Sequence, residues 1–116
     1  MSSLLLIDAG ATKTAFTLLT EGEVAVRSAG RGINPNYTAE ADILRVFADF
    51  VSSCADTTGI GEVDYYGAGC LAPGNAALME NVVSRFFPQA QVRVWSDLMA
   101  VCHALSRNQR SAAAIL

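Results

Sequence analysis

The fold of this chain turns on nine residues near its start, Leu6-Ile7-Asp8-Ala9-Gly10-Ala11-Thr12-Lys13-Thr14. An apolar run, Leu4 to Ile7, ends in an aspartate. A turn centred on Gly10, with alanine on either side, follows. Small residues let backbone N–H groups come close to an anion such as phosphate. Thr12 adds a hydroxyl donor and Lys13 a positive charge. Asp8 can hold Mg2+ through water, because this ion keeps much of its hydration shell. The plainer reading of the same residues is a β-hairpin with a polar tip.

Ala15 to Leu19 forms a second apolar-rich run, and Val24 to Val26 begins a third after Glu21-Gly22. Closely spaced runs joined by glycine turns predict an antiparallel meander. Gly30, Gly32 and Pro35 break regular structure and predict a loop over Arg31 to Asn36. Thr38 is the expected N-cap of a first helix, with Glu40 and Asp42 in its first turn. Ile43, Phe47, Phe50 and Cys54, with Leu44 and Val51 beside them, form one apolar helix face. A strand is expected over Val63 to Cys70, with glycines at its C-terminal end. A second helix starts at Pro73 to Asn75, carries Leu78, Val82 and Phe86 on one face, and stops at Pro88. Gln91 to Trp95 alternates as a strand does. Ser96 is the expected cap of a third helix, with Leu98, Val101, Cys102 and Leu105 on its apolar face. Asn108 and Arg110 read as a linker, and Ala112 to Leu116 as the start of another strand. The order β-β-β-α-β-α-β-α predicts an α/β fold. Its mixed five-stranded sheet joins an antiparallel meander to a parallel β-α-β-α part, flanked by helices.

Hydrophobic residues make up 52% of the chain and charged ones only 16%. One face is therefore expected to be covered by another domain or subunit. No apolar run approaches the ~20 residues that span a bilayer. No basic segment precedes Leu4 to Ile7, as it would in a signal peptide. A soluble cytoplasmic protein without membrane contact is the expectation. The net charge of −3 and pI of about 4.9 argue against a nucleic-acid surface. They leave room for a nucleotide held by a local glycine loop. Cys54, Cys70 and Cys102 are odd in number and lack C-x-x-C spacing. They read as buried reduced thiols rather than a disulfide framework or a zinc site.

The nine-residue segment resembles the first phosphate motif of the acetate-and-sugar-kinase, heat-shock-protein and actin superfamily. Within it, the chain is similar to the N-acetylglucosamine kinase and BadF/BadG/BcrA/BcrD-type ATPase group. Gly32-Ile33-Asn34-Pro35, Tyr66-Gly67-Ala68-Gly69-Cys70 and Trp95-Ser96-Asp97-Leu98 carry the likeness onward in order. The resemblance implies a ribonuclease H-like sheet, one lobe of an actin-like ATPase fold, with ATP and Mg2+ as cofactors. It implies that Asp8 organises the metal and that Gly10, Ala11, Thr12 and Lys13 hold the β- and γ-phosphates. It implies sugar binding by Asn34 and Gly69, and proton abstraction from the sugar hydroxyl by Asp97. Residues 1–107 would be the N-terminal lobe, and 108–116 a linker and the first strand of a second lobe. That second lobe, with its adenosine site and second phosphate loop, is expected in a longer protein, and 1–116 alone is expected to be inactive. Self-association into a homodimer is one way for an isolated lobe to cover its open face.

Each role has a plainer alternative. An aspartate at position 97 complements a helix dipole. Asn34 before Pro35 suits a turn. Gly67 and Gly69 permit close backbone packing. Cys70 and Trp95 pack as core, and His103, the one histidine, is a surface or packed residue. Three functions compete: an amino-sugar kinase, an ATPase coupled to a partner such as a dehydratase activator, and a sensor without turnover. The first is favoured by Asp97 and Asn34. The spacing of the three cysteines disfavours an iron–sulfur cluster, which the second would carry.

Overall fold

The computed structural model describes residues 2–54 and 56–107, so the linker and strand expected over 108–116 lie outside the described residues. The elements are β1 Ser3–Ala9, β2 Lys13–Thr20, β3 Glu23–Arg31, α1 Glu40–Ser53, β4 Ile60–Gly67, α2 Pro73–Phe86, β5 Gln91–Ser96 and α3 Leu98–Arg107. The strands form one sheet in the order β3-β2-β1-β4-β5. β1, β2 and β3 pair antiparallel, and the β1–β4 and β4–β5 pairs are parallel. This is the mixed five-stranded α/β sheet expected from the element order. Glu21 and Gly22 both adopt positive φ between β2 and β3, a backbone pair that matches the twist of a tight hairpin.

Side-chain alternation assigns the two faces. Leu5, Ile7 and Ala9 of β1 are fully buried, whereas Asp8 between them is exposed on the opposite side. α1 and α2 cover the first face with Ile43, Phe47, Phe50, Met79, Val82 and Val83. Phe47 is the hub: its ring centroid lies 5.9 Å from Phe16, 6.3 Å from Tyr65 and 5.6 Å from Phe86. α3 lies on the second face. Its His103 ring meets Trp95 edge-on at 4.5 Å, and its Nδ1 lies 2.7 Å from the Tyr66 hydroxyl.

Five expectations need correction. Ala39, not Thr38, is the N-cap of α1 and makes no side-chain cap bond. The Thr38 hydroxyl instead accepts the Asn34 N–H at 2.9 Å, so the loop takes the partner the helix end would have used. Gly30 stays within β3, paired with Thr14; a Cβ there would meet Val46 at 3.4 Å, so its lack of one eases the close approach of α1. β4 starts at Ile60 and stops at Gly67, because residue 69 turns to φ +81°. Ser96 belongs to β5 rather than capping α3. The largest difference is on α3, where Leu98, Val101 and Cys102 are exposed while Ala100 and His103 line the sheet side. Apolar spacing identified the helix but not its inward side, which is the one that meets the Tyr66 hydroxyl.

Phe47→Ala should cost about 3–5 kcal/mol, the usual penalty for deleting a fully buried aromatic ring. Urea unfolding followed by Trp95 fluorescence would measure it. A loss below about 1 kcal/mol would mean that the aromatic cluster closes over the cavity.

Candidate active site

The C-terminal ends of β1, β4 and β5 lie side by side, since Ala9 pairs with Gly67 and Gly67 with Ser96. Ligand sites in parallel α/β sheets gather at such ends. The β1–β2 hairpin closes there through a hydrogen bond from Gly10 N–H to the Lys13 carbonyl at 2.9 Å. Ala11, Thr12 and Lys13 are exposed at its tip. The backbone N–H groups of Ala11 and Thr12 have no acceptor among the described residues. Two unclaimed N–H groups, a hydroxyl and an ammonium form a donor set that fits a phosphate. Thr14, which ends the motif, is instead fully buried, and its hydroxyl has no partner among the described residues.

The loop after β3 is fastened to this tip. Ile33 N–H donates to the Gly10 carbonyl at 3.0 Å. A Cβ on Gly32 would lie 2.3 Å from the Ala11 carbonyl oxygen, so only glycine fits. Beside the tip, a cleft of about 420 Å³ is lined by Thr12, Arg31, Thr38 and Asp42 among others. Arg31 and Asp42 form an exposed ion pair across 3.7 Å.

Asp8 lies on the α3 side of the sheet, in a hollow of about 310 Å³ that Leu6, Thr17, Tyr66 and His103 also line. No group of three or more His, Cys, Asp or Glu side chains suited to a metal occurs among the described residues. A Mg2+ ion at Asp8 would therefore draw its other ligands from phosphate and water, which suits an ion that keeps much of its hydration shell.

The 67–70 turn joins the remaining residues. Ala68 N–H donates to the Ala9 carbonyl at 2.9 Å, and Asp97 N–H to the Gly67 carbonyl at 3.2 Å. Asp97, exposed between β5 and α3, is thus fixed through its main chain to the end of β4. Cys70 is buried, and burial, reinforced by the nearby Asp97 charge, pushes its thiol up to about 11. That thiol is protonated at neutral pH, as a packed cysteine should be. Asn34 sits over Gly69, where a Cβ would lie 2.5 Å from Asn34 Oδ1. Asn75, read from the sequence only as a helix-start residue, donates through Nδ2 to the Gly69 carbonyl at 3.0 Å and to Asn36 Oδ1 at 2.8 Å. The structure thus brings Asn34 onto Gly69, while Asp8 faces the α3-side hollow and the Gly10 to Lys13 tip borders the other cleft. The 67–70 turn links the end of β1 and the Asn34 contact to Asp97. Nothing in local spacing announced Asn75, because its partners are 39 and 6 residues away.

Neither a protein-family model nor a curated protein matches the sequence. Solved structures do. A "putative N-acetylglucosamine kinase" from Porphyromonas gingivalis superposes with a TM-score of 0.70 at 26% identity, over 84% of this chain and 34% of that one. YeaZ from Pseudomonas aeruginosa matches with a TM-score of 0.53 at 18% identity, over 94% of this chain and 50% of that one. The PPX-GPPA enzyme of Aquifex aeolicus matches with a TM-score of 0.50 at 13% identity, over 82% and 36%. The chain has the actin-like ATPase fold, and the likeness read from its motifs is borne out by these neighbours. It spans about a third of the length of the first of them.

Two outcomes test this geometry. Gly32→Ala should destabilise the chain by about 1–3 kcal/mol, because the clash is with backbone rather than a flexible side chain; thermal melting reads it. In a Cys54→Ser/Cys102→Ser background, alkylation of Cys70 by iodoacetamide should keep accelerating to about pH 11. Asp97→Asn removes a neighbouring negative charge, so the profile should move to lower pH; an unmoved profile would separate the two side chains.

Proposed function

We propose that this chain is the N-terminal lobe of an ATP-dependent kinase that phosphorylates a hydroxyl of an amino sugar such as N-acetylglucosamine or glucosamine. The observation that carries the reading is the 67–70 turn, which ties the Asp97 backbone and the Asn34–Gly69 contact to the end of the β1–β2 hairpin. The 26%-identical neighbour described as such a kinase supports it. ATP supplies the phosphoryl group, and Mg2+ neutralises charge developing on the phosphates.

The chain's own residues have separate tasks. The Ala11 and Thr12 N–H groups, the Thr12 hydroxyl and Lys13 would hold the β- and γ-phosphates, and Asp8 would hold Mg2+ through water. Asn34 and the Gly69 turn hold the sugar. Asp97 takes the proton of the acceptor hydroxyl as its oxygen attacks the γ-phosphorus and the bond to the leaving ADP oxygen breaks. The demand on Asp97 is position: its carboxylate must lie within hydrogen-bond reach of the acceptor hydroxyl. We place the protein in the cytoplasm, where ATP is available; no helix among the described residues is long and apolar enough to cross a membrane.

The test is ADP release by the full-length protein with magnesium ATP and a panel of amino sugars. Asp97→Ala should lower kcat by about 10²–10⁴-fold, the contribution of a positioned general base. ATP turnover that ignores every sugar and survives the substitution would favour an ATPase coupled to a protein partner.

A further inference from the structure

Three asparagine side chains are oriented by the backbone, Asn34 directly by a main-chain N–H and Asn36 through Asn75, which a main-chain carbonyl holds. Asn36 N–H donates to Asn34 Oδ1 at 3.0 Å. Asn75 Nδ2 donates to the Gly69 carbonyl at 3.0 Å and to Asn36 Oδ1 at 2.8 Å. A main-chain N–H only donates and a carbonyl only accepts. None of the three amides can turn over without losing a bond. The Nδ2 groups of Asn34 and Asn36 are left with no partner among the described residues. Asn36 is exposed and Asn34 half-buried, so both can be reached. Among the described residues Asn75 Oδ1 is the one unpaired acceptor of the three amides, and it belongs to the first turn of α2.

We infer that Asn36 is a second ligand of the acceptor sugar and that Asn75 is a positioning residue that locks the Asn36 amide with its oxygen toward Asn75 and its nitrogen beside the Gly69 turn. This rests on the sugar-binding reading of Asn34. The subsite then presents two side-chain N–H donors beside the Gly69 turn. It takes a neutral hydrogen-bond acceptor, a hydroxyl or carbonyl oxygen. It disfavours an ammonium, which brings only donors and a charge. Selectivity arises because a polar group facing the wrong partner loses its bond and its hydration together.

The experiment compares kcat/KM of the full-length protein for N-acetylglucosamine, glucose and glucosamine, in wild type, Asn36→Asp and Asn75→Ala. Asn36→Asp is nearly isosteric: one oxygen keeps the bond from Asn75, and the other replaces the donor beside Gly69 with a negative acceptor. Wild type should favour the better neutral sugar over glucosamine by about tenfold or more, the worth of one mispaired hydrogen bond. Asn36→Asp should shrink that ratio by about tenfold or more, on the same reasoning. Asn75→Ala should move it the same way but less far, because the freed Asn36 amide can then present either end. A merely structural role would lower all three values together and leave the ratio alone. Turnover whose ratio neither variant moves overturns the inference and leaves the kinase standing. Absence of turnover with every sugar overturns both.

Discussion

The Gly67 carbonyl is the point on which the site depends. It accepts N–H groups from Cys70 at 3.3 Å and from Asp97 at 3.2 Å, while Ala68 reaches back to Ala9. One carbonyl thus ties together the ends of β4 and β5, and its neighbour adds β1. No side chain fits at residue 67, because a Cβ would lie 2.3 Å from the Tyr65 ring and 3.1 Å from the Cys70 sulfur. That ring belongs to the core under α1 and α2, with its hydroxyl buried and unpaired. Burial holds the Tyr65 phenol well above its usual range, so it stays neutral. Core packing on one face therefore dictates the backbone path that sets out the candidate residues at the strand ends.

On the opposite face a polar network does comparable work. Asp64 is almost wholly buried, yet it accepts Arg93 Nε at 2.7 Å and Nη2 at 3.2 Å, and Trp95 Nε1 at 3.3 Å. These bonds, with those to Glu62, raise the guanidinium further above its ordinary range. Such a pair adds little net stability, because desolvation offsets attraction, but removing one member strands a buried charge. Its use here is orientation. Arg93 aligns Asp64, Asp64 holds the Trp95 indole, and Trp95 and Tyr66 flank His103. His103 is a packed residue that sets how α3 lies on the sheet, and Asp97 is the residue from which α3 departs.

Much of this was legible in the sequence where the physics is local. The Asp8 to Thr14 run, the Glu21-Gly22 turn and the Pro73 start of α2 each follow from short-range backbone preferences, and all three are in the structure. Element order alone predicted the mixed sheet. Choices made by distant partners were not legible. Period-3.6 spacing on α3 marks a helix, but which side packs depends on Tyr66, 37 residues from His103 in the chain. Thr38 looks like a cap, yet Asn34 claims its hydroxyl. The candidate site shows the same division: its hairpin is one contiguous segment, while the bond from Asn75 to Asn36 exists only after α2 has docked.

The strand ends thereby carry two chemistries in one small space. Donors come from the hairpin tip and the asparagine loop; the carboxylates of Asp8 and Asp97 stand at the ends of β1 and β5. The chain as a whole is acidic, at −3, so attraction for a phosphate cannot arise from net charge. On the kinase reading it arises locally, from oriented N–H groups that cost no reorganisation when the ligand arrives. Such groups are positioned by backbone, and that explains why glycine at 32, 67 and 69 matters more to the site than any surplus of lysine. On the kinase reading, the same economy separates the two aspartates. One sits on the hairpin strand, where phosphates and a metal gather; the other is anchored to β4, beside the loop that would present a sugar.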